Sequence, residues 1–150
     1  MPRISIQNPT RRWGRAWVFL ALALALHVLD EALTGFLPLY NSIVQSLRDS
    51  YAWVPLPMFS FPVWIGGLSL GVLILLSLSP LVFAGRNFLR PVSYILGIIM
   101  VANAIGHIGA SFYWGILVPG VFSSPILLLA ALALLHATHS SHLASAKAAP

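Results

Sequence analysis

Residues 13–36 read WGRAWVFLALALALHVLDEALTGF, and this stretch decides the fold. Its centre, Val18 to Leu26, is uninterrupted Ala, Leu, Phe and Val. A bilayer core of about 30 Å takes about 20 helical residues to cross, so the run is long enough for one span. Arg11, Arg12 and Arg15 precede it as in a signal peptide, and Ala21, Ala23 and Ala25 offer a cleavage-like pattern. Cleavage is not expected, because His27, Asp30 and Glu31 follow in the same run and further apolar runs come after them. The twin arginines Arg11-Arg12 lack the continuation of an export signal.

The rest of the chain extends this reading. Of 150 residues, 59% are hydrophobic and 7% charged, against about 25% charged in soluble domains. A lipid-facing surface accounts for that deficit. Further spans are expected at about 61–85, 91–115 and 121–137, the last the shortest, with Pro125 as a kink or its true start. Residues 1–12 read as a cytoplasmic arm, 13–137 as the membrane domain and 138–150 as a loose cytoplasmic tail. The expected architecture is all-α, an integral membrane four-helix bundle. Between spans one and two, Ile43, Val44, Leu47 and Tyr51 recur at helical spacing, so a short interfacial helix or lid is expected there. Gly66, Gly67 and Gly71 permit close helix contact on span two.

Charge supports the span count. Arg3, Arg11, Arg12, Arg15, Arg86, Arg90 and Lys147 fall on one side if there are four spans, and Arg48 alone falls on the other. The positive-inside rule then makes both termini cytoplasmic. The net charge of +5 is carried at the ends of apolar runs, which suits anionic membrane lipid as the partner rather than nucleic acid. With no cysteine, thiolate and disulfide chemistry is excluded. No phosphate-binding loop, nucleophile elbow or aromatic-basic face is present.

The chemistry-bearing residues lie in the spans. Asp30 and Glu31 are two of only three acids, and an ionisable group inside a span is expected to have a partner and a purpose. His27 and Glu31 are i, i+4 and share a helical face, with Asp30 beside them. Asn103 and His107 form a second i, i+4 pair on span three. At about 1.5 Å rise per residue, His27 and Asn103 lie roughly 20 and 17 Å from the cytoplasmic ends, and Glu31 and His107 roughly 26 and 23 Å. Spans one and three run parallel, so the pairs match in depth.

Two imidazoles and a carboxylate suit zinc, iron or manganese, with His27, Glu31 and His107 as candidate ligands. The same groups suit proton transfer without metal. Asp30 and Asn103 would orient them or bind substrate. Blander readings stand beside these. Asp30 and Glu31 could be a solvated helix end, His107 a packing residue, and Asn103 polar glue between helices. His136, His139 and His142 read as solvated tail histidines, and Ser123 and Ser124 either face the site or, preferably, cap a helix after the Pro119-Gly120 turn.

At these residues the chain resembles a known group. His27-Val28-Leu29-Asp30-Glu31 is similar to the signature of the HXXEE-domain family of small bacterial membrane proteins. Asn103-Ala104-Ile105-Gly106-His107 resembles that family's second mark, and Tyr113 with Pro119-Gly120 resembles its ending. The resemblance runs from span one to span four, and its specificity lies in the order of short motifs. It departs at Asp30, where the family usually has Glu; the shorter side chain makes a ligand role weaker there than at Glu31. The resemblance implies a bacterial inner-membrane location and the importance of the polar set, and it names no reaction.

The functional expectation is an enzyme, metal-dependent or acid-base, acting on a hydrophobic small molecule. The alternative is a non-enzymatic protein, a small transporter or accessory subunit, whose polar set fixes helix register. Four spans without an inverted repeat weaken a lone transporter, and oligomerisation would supply the missing pathway.

Overall fold

Where the backbone turns is set by a few residues, and the five helices lie between them. The computed structural model describes residues 9–51, 53 and 55–147. The helices are α1 (Pro9–Thr34), α2 (Phe36–Ser50), α3 (Phe61–Phe83), α4 (Leu89–Trp114) and α5 (Ser124–Lys147). α1, α3, α4 and α5 are long and apolar enough to cross a membrane. Leu22, Leu29, Leu70, Leu73, Ile74, Ile95, Ile98, Ile99 and Leu129 point outward, which in water would be costly and in lipid is not. The all-α bundle is as the hydropathy pattern predicts.

Several boundaries differ from expectation. Of the arm expected over 1–12, residues 1–8 lie outside the described residues, and Pro9 to Arg12 are the first turn of α1. Of the two expectations for Pro125 the true start holds and the kink does not: it sits in the first turn of α5, where a missing N–H costs nothing. The tail expected from Thr138 is instead the last part of α5, which runs on to Lys147. Its hydroxyls bond back to the preceding turn: Thr138 Oγ1 to Leu134 O at 2.7 Å, Ser140 Oγ to His136 O at 3.0 Å and Ser145 Oγ to Ser141 O at 3.0 Å. Such back-bonding satisfies Ser and Thr without leaving the helix. Arg90 of α4 donates to Ser145 Oγ at 2.6 Å and clamps this end.

α1 is the central element. It packs on both α3 and α5, and α5 packs on α4, so the spans form an arc α3–α1–α5–α4. Among the described residues α3 and α4 do not pack substantially on each other, and the arc is open between them. Trp13, Trp17, Leu20, Leu127 and Leu134 fill its core with the alanines Ala23, Ala104, Ala130 and Ala131. The indoles are satisfied: Trp13 Nε1 donates to Ser93 Oγ at 3.0 Å and Trp17 Nε1 to Leu75 O at 2.7 Å. The start of α1 thus meets the end of α3 and the start of α4, leaving the end of α1 beside the end of α4.

α2 occupies the expected place between spans one and two. Gly35, at φ +84°, breaks the chain out of α1 in a left-handed turn that favours glycine. Of the expected stripe only Val44 is buried; Tyr51 and Ile43 are exposed. The reason is that α2 presents Phe36, Leu39, Tyr40 and Ile43 to a cavity rather than to a packed helix. Asn41 straps the following segment to α2, its Nδ2 donating to Phe59 O at 2.9 Å and its Oδ1 accepting from Phe59 N–H at 3.2 Å.

The glycines that allow close contact are not those of span two. A Cβ on Gly66, Gly67 or Gly71 would meet no described atom within 4 Å, because they lie off the face that α3 turns to α1. Within the spans Gly14 on α1, against the Phe83 ring of α3, and Gly97 on α4 are the tight ones, the latter with Leu135 Cγ of α5 2.7 Å from where a Cβ would stand. Gly97→Leu should therefore destabilise the bundle by about 1–3 kcal/mol through overpacking, and Gly71→Leu should not. Reversible unfolding in mixed detergent micelles measures both.

Candidate metal centre

The site lies where the ends of α1 and α4 meet the turn before α5. One helical turn places His27 and Glu31 on the same face of α1, and both are buried. His107 reaches them from α4. Glu31 Oε1 is 3.4 Å from His27 Nε2 and 3.1 Å from His107 Nε2. The imidazoles meet edge to face with centroids 4.9 Å apart. One ligand atom from each of the three residues falls within 4.8 Å of the others.

Asp30 does not join this cluster directly. Its Oδ2 accepts from Ser123 Oγ at 2.7 Å and from Ser123 N–H at 2.9 Å. Ser123 Oγ is in turn 2.8 Å from His27 Nδ1. A serine has one proton to give, and the shortest acceptor is the Asp30 carboxylate; Gly120 O, at 3.3 Å, is the weaker competitor. Ser123 Oγ must then accept from His27, which puts the imidazole proton on Nδ1. The Nε2 lone pair of a neutral His27 faces Glu31 Oε1, and His27 Nε2 is buried without a hydrogen-bond partner. A lone pair facing a carboxylate oxygen calls for a positive centre between them, a proton or a metal ion.

The turn that delivers Ser123 is tightly fitted. Gly120, at φ +86°, lies against the site, and an added Cβ would stand 2.8 Å from His107 Cε1 and 3.1 Å from Glu31 Cγ. Thr34 Oγ1 donates to Asp30 O at 2.6 Å and accepts from Gly120 N–H at 3.3 Å. Ser111 Oγ accepts from Val118 N–H at 3.1 Å, tying the turn to α4. The Pro119-Gly120 signal in the sequence therefore marks a wall of the site.

Measured against expectation, the structure brings together His27, Glu31 and His107, and it attaches Asp30 through Ser123. The matched depth of spans one and three is what allows this. Asn103 stands apart from the cluster: it lines a cavity of about 230 Å³ with His107, Phe36 and Tyr40, and its Oδ1 is buried without a partner. For Ser123 the less favoured expectation, that it faces the site, is the one the structure shows: it links Asp30 and His27. Ser124 does act locally, donating to Gly120 O at 2.7 Å. Phe36, 5.5 Å from the His107 ring, was not anticipated; the lid reading of the 37–60 segment was the signal nearest to it. His136, His139 and His142 are exposed on α5 rather than in a loose tail, within the stretch long and apolar enough to cross a membrane, and His142 Nδ1 lies 3.4 Å from an Arg90 guanidinium nitrogen.

No protein-family model, curated protein or solved structure matches the chain.

Gly120→Ala should cost more than the roughly 1–2 kcal/mol of a left-handed alanine, because the methyl also strikes His107 and Glu31. Gly115→Ala, also at positive φ but with open space around its Cβ, isolates the backbone part. Thermal unfolding of the two variants should show Gly120→Ala as the less stable.

Proposed function

We propose that this chain is an integral membrane metalloenzyme in which His27, Glu31 and His107 hold one divalent ion, zinc first among candidates, and act on a hydrophobic substrate. The observation that carries the reading is the convergence of two Nε2 atoms on one buried carboxylate oxygen at 3.4 and 3.1 Å. Ligand bonds of about 2.0–2.1 Å in a tetrahedron put neighbouring ligand atoms roughly 3.3 Å apart. Both separations are close to that edge length.

The Asp30–Ser123–His27 chain supports it further. Metal-bound histidines commonly give their second N–H to an oxygen that fixes the tautomer, and Ser123 is so placed. Three protein ligands leave a coordination position open, which is the pattern of catalytic rather than structural zinc sites. When bound, the ion would polarise an oxygen of the substrate as a Lewis acid.

Orientation follows the charge asymmetry, with both termini cytoplasmic and the site in the extracytoplasmic half of a bacterial inner membrane. Kinship with the HXXEE-domain family is part of the same proposal. What supports it is that His27, Glu31, His107 and Gly120, drawn from three separate motifs, meet at one point.

The second reading replaces the ion by a shared proton, making the same three residues an acid-base set. Metal analysis of the purified protein separates them. About one zinc per chain is expected in the wild type, with loss in Glu31→Gln and His107→Ala, and a roughly 10–100-fold weaker affinity in Ser123→Ala. A wild type that takes up no zinc, iron or manganese rejects the metal reading and leaves the proton. If His27→Ala and His107→Ala alter neither stability, metal content nor cellular phenotype, the chain is better read as a transporter or accessory subunit.

A further inference from the structure

Among the described residues three tryptophans are buried, and one of them differs in its hydrogen bonding. The indole N–H groups of Trp13 and Trp17 are satisfied inside the bundle, by Ser93 Oγ and Leu75 O. Trp64 on α3 is 9% exposed, and its Nε1 has no acceptor among the described residues. It is not sealed in the way that Asn103 Oδ1 is, so the N–H keeps accessible surface. A buried indole usually finds a partner for this donor.

Trp64 lines a cavity of about 360 Å³ between α2 and α3. That size falls within the roughly 300–1,000 Å³ of small-molecule pockets. Its wall is a run of rings, Trp64, Phe36, Tyr40 and Phe59, with successive centroids 6.1, 6.1 and 6.0 Å apart and interplanar angles of 29°, 26° and 28°. Near-parallel rings offer faces for offset stacking on another flat ring. On α3 the lining continues with Val63 and Gly67, both exposed, so the cavity opens outward toward lipid. A Cβ on Gly67 would meet no described atom within 4 Å. The other polar group of the wall, the Tyr40 hydroxyl, is already given to Pro57 O at 3.0 Å. An indole nitrogen donates and cannot accept, so what fills this cavity must bring an acceptor.

We infer that this cavity binds the flat, carbonyl-bearing ring of a long-chain membrane lipid, the chemistry of a quinone. The ring stacks on the aromatic wall, one carbonyl oxygen accepts from Trp64 Nε1–H, and the chain leaves past Val63 into the bilayer. This is a second site and does not rest on the metal reading. His107 is not in the lining, and Phe36, tilted on His107 at 5.5 Å, links the two places. The charge of an ion held at His107 would nevertheless draw an anion, so a flat carboxylate is a necessary comparator.

The test measures saturable binding of a tritiated, fully substituted benzoquinone with a ten-carbon chain to the full-length protein in phosphatidylcholine nanodiscs, with empty nanodiscs subtracted. Competitors carry the same chain on benzene, on cyclohexane and on benzoate. One quinone per chain is expected. The alkylbenzene should compete about tenfold less well than unlabelled quinone, and the alkylcyclohexane and the benzoate less well still. Trp64→Phe, which keeps a ring and removes the N–H, should weaken the quinone about tenfold, as for one lost hydrogen bond, and leave the alkylbenzene unchanged. Gly67→Leu should abolish binding by filling the cavity at wild-type thermal stability. Added zinc or a chelator should alter none of these values. No saturable binding leaves Trp64 an interfacial tryptophan and overturns the inference. So do equal competition by the cyclohexane, preference for the benzoate, an unaltered Trp64→Phe or Gly67→Leu variant, or quinone binding that needs zinc. Should Trp64→Phe fail to fold, the competitor order and Gly67→Leu still decide. Zinc uptake without quinone binding overturns this inference alone, and quinone binding without zinc uptake overturns the metal reading alone.

Discussion

A carboxylate in a hydrocarbon environment needs positive partners, and Glu31 is the group around which this end of the protein is organised. Moving such an ion out of water costs several kcal/mol even after relaxation. Its Oε1 meets the Nε2 atoms of His27 and His107, one on its own helix and one two spans later. Satisfying Glu31 therefore draws the end of α4 to the end of α1. The two helices otherwise communicate mainly through α5, which packs on both. The opposite end is closed differently, by Trp13 on Ser93 and by Arg90 on the last turn of α5.

A second layer of hydrogen bonds makes that arrangement directional. Asp30 has one oxygen engaged by both the N–H and the hydroxyl of Ser123. This fixes the hydroxyl proton, and the hydroxyl then fixes the tautomer of His27. Adjacent acids on one helix thus take different tasks. Glu31 faces the cluster, and Asp30 reaches past it to hold the turn that supplies the orienting serine. The shorter side chain at position 30 suits this second task, since it stops at Ser123 rather than entering the cluster. Gly120 completes the fit, because only a residue without Cβ leaves room for His107 and Glu31 behind it.

The open arc gives the site its environment. A closed four-helix bundle would seal His107 behind packed side chains. Here α3 and α4 stay apart, and α2 lies between cavities on either side of it. The strap from Asn41 to Phe59 and the Arg48 bond to Leu56 O at 2.6 Å keep α2 and its following segment together as one piece. The apolar walls are what a surface that meets lipid would show.

Much of the fold was legible in the sequence because membrane helices obey a one-dimensional constraint. Length and apolarity define spans, and arginine placement orders them. With the order known, helical rise alone put His27, Glu31, Asn103 and His107 at similar depth. Depth says nothing about rotation around each helix axis, so the sequence could not separate His107, which faces the cluster, from Asn103, which faces the cavity. Nor could it distinguish Ser123 the cap from Ser123 the link, since that depends on how the Pro119–Gly120 turn folds back against Thr34 and Asp30. The end of α5 misled for a local reason: Ser, Ala and His read as a loose tail until the Thr138, Ser140 and Ser145 hydroxyls are seen bonding back along the helix. The sequence by itself determined an all-α chain with four bilayer-length helices and a set of ionisable residues at one depth. Only tertiary packing decided which of them converge, because convergence depends on the angles at which helices pack and turns close, and composition and spacing do not encode those angles one residue at a time.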